Sequence, residues 1–382
     1  MSQNSFLKRR WKLILNIITV VALGVLVVAI HKQLISTFNR LAEVNAWFLV
    51  LLVPIQALNY HAQTKLYQGL FGVLGDRLTY RFLYRVALEL NFVNHVFPSG
   101  GVSGISYFGV RVKNAEITGG KATAVQLIKL VMLFLSFEVL LIAGLLFLAL
   151  GNHVNNFVIL VTSIITTLMV VGTFGFVMII GSERRIHATF SFLAQVINKT
   201  LYFFLRRSPE IINMKRAERV FGDLHTNYKV IESSWRRLRG VFVWAFMANV
   251  TEVLSIYVVY LAFGQWVNPG AVILAYAVAN FAGLVSVMPG GVGIYEALMT
   301  AVLVASGVPA ATSLPVTVMY RVLSTLIQVP PGWFLYHNTL LAEPKPAAPA
   351  ELAQGDVPLH KTSHGSGHHS GLDSDTSNPH QS

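Results

Sequence analysis

The chain contains no cysteine and few charged residues, and each scarcity narrows what it can be. Without cysteine there are no disulfides, no thiolate nucleophile and no sulfur-based zinc site. Charged residues are 12% of the 382, where an ordinary soluble domain carries about a quarter. A secreted globule, a nucleic-acid-binding domain and a disordered chain are excluded on that ground. Negative charge is scarcer than positive, with Asp+Glu 17 against Lys+Arg 29. What is plentiful is hydrocarbon: 54% of residues are hydrophobic, gathered in long runs. The fold class that follows is an all-α polytopic membrane protein.

The first run, Leu13 to Ile30, follows Lys8, Arg9, Arg10 and Lys12 and lacks a small-residue cleavage site, so it reads as an uncleaved helix. Further apolar stretches lie at 44–60, 82–109, 122–150, 156–180, 240–263, 269–305 and 313–336. Two are broken. The 82–109 stretch contains Pro98-Ser99-Gly100-Gly101-Val102-Ser103-Gly104-Ile105, and 269–305 contains Pro289-Gly290-Gly291-Val292-Gly293-Ile294. Proline removes a donor and glycine loosens the backbone beside it, so neither passes through as a regular helix. Their likeness to each other suggests a repeat of the transporter kind.

Charge placement sets the topology. Segments 1–12, 61–85, 111–121 and 181–240 hold 4, 4, 3 and 12 Lys/Arg, 23 of the 29. Lys and Arg gather on the cytoplasmic side. That distribution survives only if 82–109 enters and leaves from the cytoplasm, and parity then makes 269–308 a hairpin entering from outside. The expected architecture is six full crossings plus two re-entrant hairpins in a possible inverted repeat, in the cell membrane, with both termini cytoplasmic. The membrane domain is expected over 1–341, with a basic loop at 181–240 that can lie along anionic lipid. Residues 342–382 read as a disordered tail rich in Pro, Ser, Gly and His. Its histidines, among them His360, His364, His368 and His369, read as solvated rather than metal-binding, and no metal or cofactor is expected.

Six ionisable residues fall inside the apolar stretches: Glu89, Lys129, Glu138, Glu252, Glu296 and Arg321. Each costs ~2.5 kcal/mol or more at the bilayer centre and needs a partner or a polar cavity. Arg321 is too deep to reach the interface, and its guanidinium can hold a phosphate or pair with Glu296 or Glu252. Lys129, about two turns into its helix, is near enough to the surface to snorkel. The Pro-Gly-Gly breaks can expose backbone N–H groups, with a helix starting at Ile294-Tyr295-Glu296, which suits an anion. Hydrolase signatures fail: Gly101 stands where the P-S-G-H element of membrane phosphatases has its histidine.

Pro289-Gly-Gly-Val-Gly-Ile-Tyr-Glu296, then Gly307-Val308-Pro309 and Tyr320-Arg321, resembles the lysylphosphatidylglycerol synthase transmembrane-region family, the flippase-like membrane proteins. Asn91, Asn94-His95-Val96-Phe97-Pro98 and Arg111 extend the resemblance to the first half, although Ser103-Gly104 stands where many members carry Gly-Glu. The resemblance implies lipid translocation between leaflets and no enzyme activity; the soluble aminoacyl-transferase domain of lysyl-transferring members is not expected. The expected substrate is an anionic or phosphate-bearing lipid, a phospholipid or a polyprenyl-phosphate type, with no nucleic acid and a homo-oligomer left open. Its expected contacts are Arg321, Glu296, Pro289, Gly290, Gly291, Gly293, Tyr295, Pro98, Gly100, Gly101, Asn94 and Lys129. The alternatives are a membrane enzyme modifying a lipid or polyprenyl carrier, with Glu89, Glu252 or Glu296 as acid or base, and a membrane scaffold.

Overall fold

The computed structural model describes residues 21, 24–25, 28, 31–33, 35–97, 102–151, 156–182, 184–186, 188–189, 226–285 and 293–341. Among these there is no strand, and the chain is an all-α membrane protein. The helices are α1 (Ala46–Val50), α2 (Leu52–Val73), α3 (Tyr80–Val96), α4 (Val102–Lys113), α5 (Gly119–Leu150), α6 (Asn156–Ile180), α7 (Trp235–Ala262), α8 (Pro269–Val285), α9 (Ile294–Ala305) and α10 (Ala310–Leu341). Residues 226–233 form a short helical stretch before α7. Four helical segments are long and apolar enough to cross a membrane: Gly119–Leu150, Val158–Ile179, Arg236–Ala262 and Ala310–Thr339.

The crossing expected at 13–30 falls mostly outside the described residues, as do 190–225 of the basic loop and all of 342–382. The stretch expected at 44–60 becomes α1 followed by the longer α2, which carries Gln56, Asn59, Gln63 and Gln68. These side chains are not lipid-facing. Gln56 Nε2 donates to Ser255 Oγ at 3.0 Å, and Asn59 Nδ2 donates to the Ala248 carbonyl at 2.9 Å and to Thr251 Oγ1 at 3.0 Å. Farther along, an added Cβ at Gly69 would meet Val241 Cγ2 at 2.8 Å. Contacts that move up α2 as they move down α7 define an antiparallel pair. Amide and hydroxyl side chains hold it together, as small polar groups do between membrane helices.

Each broken stretch is a pair of short helices, and the two pairs match. α3 and α8 have 17 residues each, and α4 and α9 have 12 each. None reaches the roughly 20 residues needed to span hydrocarbon. In the first pair Asn94 packs on Gly104, and Glu89 meets Tyr107 and Arg111, so α4 folds back along α3. In each half the hairpin is followed by a 32-residue helix, α5 or α10. The halves interlock. α10 lies on α3, where a Cβ at Gly332 would approach Leu88 O and Phe92 Cβ at 2.6 Å. α5 lies on α8, where an added Cβ at Gly144 would meet Ile273 Cγ2 at 3.0 Å and one at Gly270 would run into the Gly144 carbonyl. An antiparallel α2–α7 pair with reciprocal hairpin contacts is the packing of an inverted repeat.

Gly332→Ala should destabilise the protein by about 1–3 kcal/mol, the cost of overpacking, read as thermal unfolding in detergent. Gly72→Ala, where nothing lies within 4 Å, should stay within about 1 kcal/mol of the parent or gain stability from helix propensity. The cysteine-free chain also allows topology to be read directly. Single cysteines at Tyr80 and Asn114 should label only from the cytoplasm, and those at Trp266 and Val308 only from outside; outside labelling at 114 would refute the first hairpin.

Candidate functional site

The hairpins meet at a cavity of about 320 Å³ bounded by α2, α3, α7, α8, α9 and α10. Its walls are polar for a membrane interior. Gln63 comes from α2, Asn91, Asn94 and His95 from α3, Glu252 from α7, and Tyr276 with Asn280 from α8. Tyr295 and the α10 residues Tyr320, Arg321, Ser324, Thr325 and Gln328 complete it. A cavity of this size is at the lower end of ligand sites.

The Glu296 carboxylate sits at the start of α9 and makes three connections. Oε2 accepts the Gly293 backbone N–H at 2.6 Å, closing the first helical turn as a capping-box glutamate does. Gly293 has φ +89°, a left-handed conformation that glycine adopts without strain. Oε1 accepts from Arg321 Nη1 at 2.5 Å and from Gln33 Nε2 at 3.1 Å. The Arg321 guanidinium also lies 4.5 Å from the centre of the Tyr295 ring. The motif therefore builds one unit: a glycine turn, a carboxylate that caps the new helix, and an arginine held by that carboxylate and a ring face.

The first hairpin solves the same problem with different residues. Glu89, buried on α3 before the break, accepts from Arg111 Nε at 2.7 Å, Tyr107 Oη at 2.9 Å and Thr339 Oγ1 at 2.9 Å. Ser103-Gly104 carries no carboxylate after this break, and α3 supplies it from the other leg.

Lys129 does not snorkel. Its Nζ donates to Tyr67 Oη at 2.8 Å and Gln63 Oε1 at 3.3 Å, and lies 4.4 Å from the Tyr67 ring centre. It lines a second cavity of about 270 Å³, which shares Gln63, Asn91 and Asn94 with the first. Lys129 lies ten residues after Gly119 and Arg321 eleven after Ala310, so the two long helices carry a cation at matching positions. Among the described residues Lys129 has no carboxylate partner, so its ammonium is bonded but not neutralised.

Of the expected site residues, Arg321, Glu296, Gly293 and Tyr295 come together, Asn94 lines the same cavity, and Lys129 joins it through Gln63. Pro289, Gly290, Gly291, Pro98, Gly100 and Gly101 lie outside the described residues. Sequence reading did not find Gln63, Tyr276, Asn280 or Tyr320 in the wall. Glu252 faces the cavity among tyrosines, with Oε2 accepting from Tyr320 Oη at 3.0 Å and no ion-pair partner among the described residues. Its only signal was its depth in an apolar run.

Because Glu296 and Arg321 neutralise each other at 5% and 17% side-chain exposure, removing either alone should cost roughly 3–5 kcal/mol by stranding a buried charge. The double variant Glu296→Gln/Arg321→Met should recover part of that loss. Thermal unfolding of the three variants in detergent checks the coupling, and additive losses would show that the pair is not coupled.

Residues 14–332 match the model of the family described as lysylphosphatidylglycerol synthase TM region. A UPF0104 membrane protein of Methanothermobacter thermautotrophicus is 32% identical over 92 residues, covering 24% of this chain and 28% of that protein. A UPF0104 membrane protein of Pyrococcus horikoshii is 30% identical over 89 residues, covering 23% and 27%. The chain thus spans little more than a quarter of the length of these curated relatives. No solved structure matches. With the family model covering both broken hairpins and the helices that enclose them, the chain belongs to the lysylphosphatidylglycerol synthase transmembrane-region family.

Proposed function

We propose that this protein moves a phosphate-bearing lipid between the leaflets of the cell membrane, acting as a transporter rather than an enzyme, with both termini in the cytoplasm. The observation that carries this reading is a polar cavity that shares walls with more apolar ones. The central chamber shares Gln63, Asn91 and Asn94 with the 270 Å³ cavity and Tyr276 with Asn280 with a third cavity of about 200 Å³. Both flanking cavities are lined by Leu130, Leu133 and Phe134 of α5. That division suits an amphiphile, with its head group among amides, hydroxyls and cations and its chains along α5.

The cations have distinct roles. Lys129 offers an un-neutralised ammonium to a phosphate oxygen. Arg321 is pre-oriented by Glu296 and Tyr295, and an anion that engages its fork exchanges one carboxylate contact for another oxyanion. The entering anion adds a charge to an already neutral pair, and the Lys129 ammonium, which has no carboxylate partner among the described residues, supplies the counter-charge. Sharing Arg321 between Glu296 and the head group favours passage over tight capture. Inverted repeats provide two related arrangements of the same helices around such a site.

The test is a leaflet-accessibility assay in proteoliposomes holding a fluorescent phospholipid, with mass spectrometry of the recovered lipids. Arg321→Ala and Lys129→Ala should each slow transbilayer movement by roughly tenfold or more, equivalent to about 1.4 kcal/mol of barrier. Arg321→Lys should lose nearly as much as Arg321→Ala, since an ammonium cannot reproduce a planar two-pronged contact. Wild-type rates in folded Arg321→Ala and Lys129→Ala would remove the site assignment. A chemically altered lipid would support the enzyme reading instead, with Glu252 as the acid or base.

A further inference from the structure

α5 turns a second face to a cavity that the translocation site does not use. This cavity, about 390 Å³, lies between Ile128, Val131, Met132, Leu135 and Glu138 of α5 and Val170, Thr173, Phe174 and Val177 of α6. Tyr228, Ile231, Glu232 and Leu238 close it. It has no lining residue in common with the central chamber. Its walls are almost wholly hydrocarbon and aromatic. Val170 and Phe174 are exposed, 48% and 65%, so a molecule dissolved in the bilayer can reach it sideways between α5 and α6.

Two polar groups inside it have no partner but each other. Glu138 accepts from the Thr173 hydroxyl, and apart from that contact Glu138 Oε1 and Thr173 Oγ1 are buried with no partner among the described residues. A carboxylate that meets a single hydroxyl still has lone pairs to spare and no counter-charge, a costly state in an apolar cavity. The other carboxylate in the wall does not share the deficit, because Glu232 is exposed and within 3.2 Å of Lys229. The membrane-depth carboxylates Glu89 and Glu296 each hold an arginine; Glu138 has no cation among the described residues.

From these observations we infer that the α5–α6 cavity is a binding site for a single-chain primary amine, with Glu138 and Thr173 receiving the ammonium and the apolar walls receiving the chain. An ammonium has three N–H donors and can meet both acceptors at once. The Phe174 and Tyr228 rings line the same space and suit a cation. The volume falls in the range of small-molecule sites. A neutral chain would fill the walls and leave the carboxylate without a counter-charge, and a fatty acid would set one carboxylate against another.

The experiment uses the full chain in phosphatidylcholine nanodiscs and a photoreactive octadecylamine with a diazirine in its chain. The matching alcohol and fatty acid serve as comparisons, and labelled peptides are identified by mass spectrometry. The amine should label α5 and α6 peptides, and excess unlabelled octadecylamine should displace it while octadecanol does not. Glu138→Gln should lower amine labelling by roughly tenfold or more, worth about 1.4 kcal/mol, and leave alcohol labelling unchanged. Thr173→Val should produce a smaller loss, and Leu135→Trp, which fills the cavity, should block the amine. Equal labelling by amine and alcohol, or wild-type amine labelling in Glu138→Gln, overturns the proposal and leaves the cavity a slot for acyl chains. Should Glu138→Gln fail to fold, the same amine-to-alcohol comparison in Thr173→Val and Leu135→Trp decides the matter.

Discussion

Hydrocarbon offers no hydrogen bonds, so every interruption of a helix at membrane depth must be enclosed by protein. The rest of this architecture depends on that constraint. Two Pro-Gly-Gly interruptions need enclosure, and each half of the chain supplies the long helix that covers the other's hairpin: α10 lies on α3 and α5 on α8. Between them α2 and α7 run antiparallel, joined by Gln56–Ser255 and Asn59–Thr251. The polar cavity follows from the same arrangement. Arg321 of the second hairpin's ion pair, Asn91 and Asn94 of α3 and Gln63 of α2 face a common space.

Charge is distributed with similar economy. Arg111 and Arg321 each sit on a glutamate, and those pairs fix hairpin legs and a helix start. Lys129, Glu252 and Glu138 stand apart, held by hydroxyls, amides and rings and by no opposite charge among the described residues. Paired charges in a membrane are affordable as structure. Charges bonded only to neutral groups remain responsive to a ligand, and here each lines a cavity.

The sequence made the breaks legible because proline and paired glycines are local signals that no neighbouring helix can mask. It also marked Glu296 and Tyr295, which lie within one motif at the start of the next helix, and Arg321, a cation deep in a later apolar run. It was less informative about α2. Gln56, Asn59 and Gln63 lower the hydropathy of that helix, so its apolar signal stops near residue 60 while the helix runs on to Val73. Tyr276, Tyr320 and Gln63 were not legible as site residues. They sit in regular helices, and only tertiary packing brings them together. Lys129 was misjudged for the same reason: its distance from the helix end allows snorkelling, but Tyr67 on another helix draws it inward.

The separation along the chain between partners has a consequence for how the protein is made. Asn91 meets Gln328 across 237 residues, and Glu89 meets Thr339 across 250. The first hairpin therefore leaves the ribosome long before α10 exists to cover it. Its buried carboxylate does not wait. Arg111 is only 22 residues from Glu89, and in the second half Arg321 is 25 from Glu296. The first hairpin can thus enter the membrane with its charge already cancelled, while the second receives its cation from α10, the helix synthesised directly after it. For the first hairpin only the neutral amide and hydroxyl contacts are left to be completed when the last helix arrives.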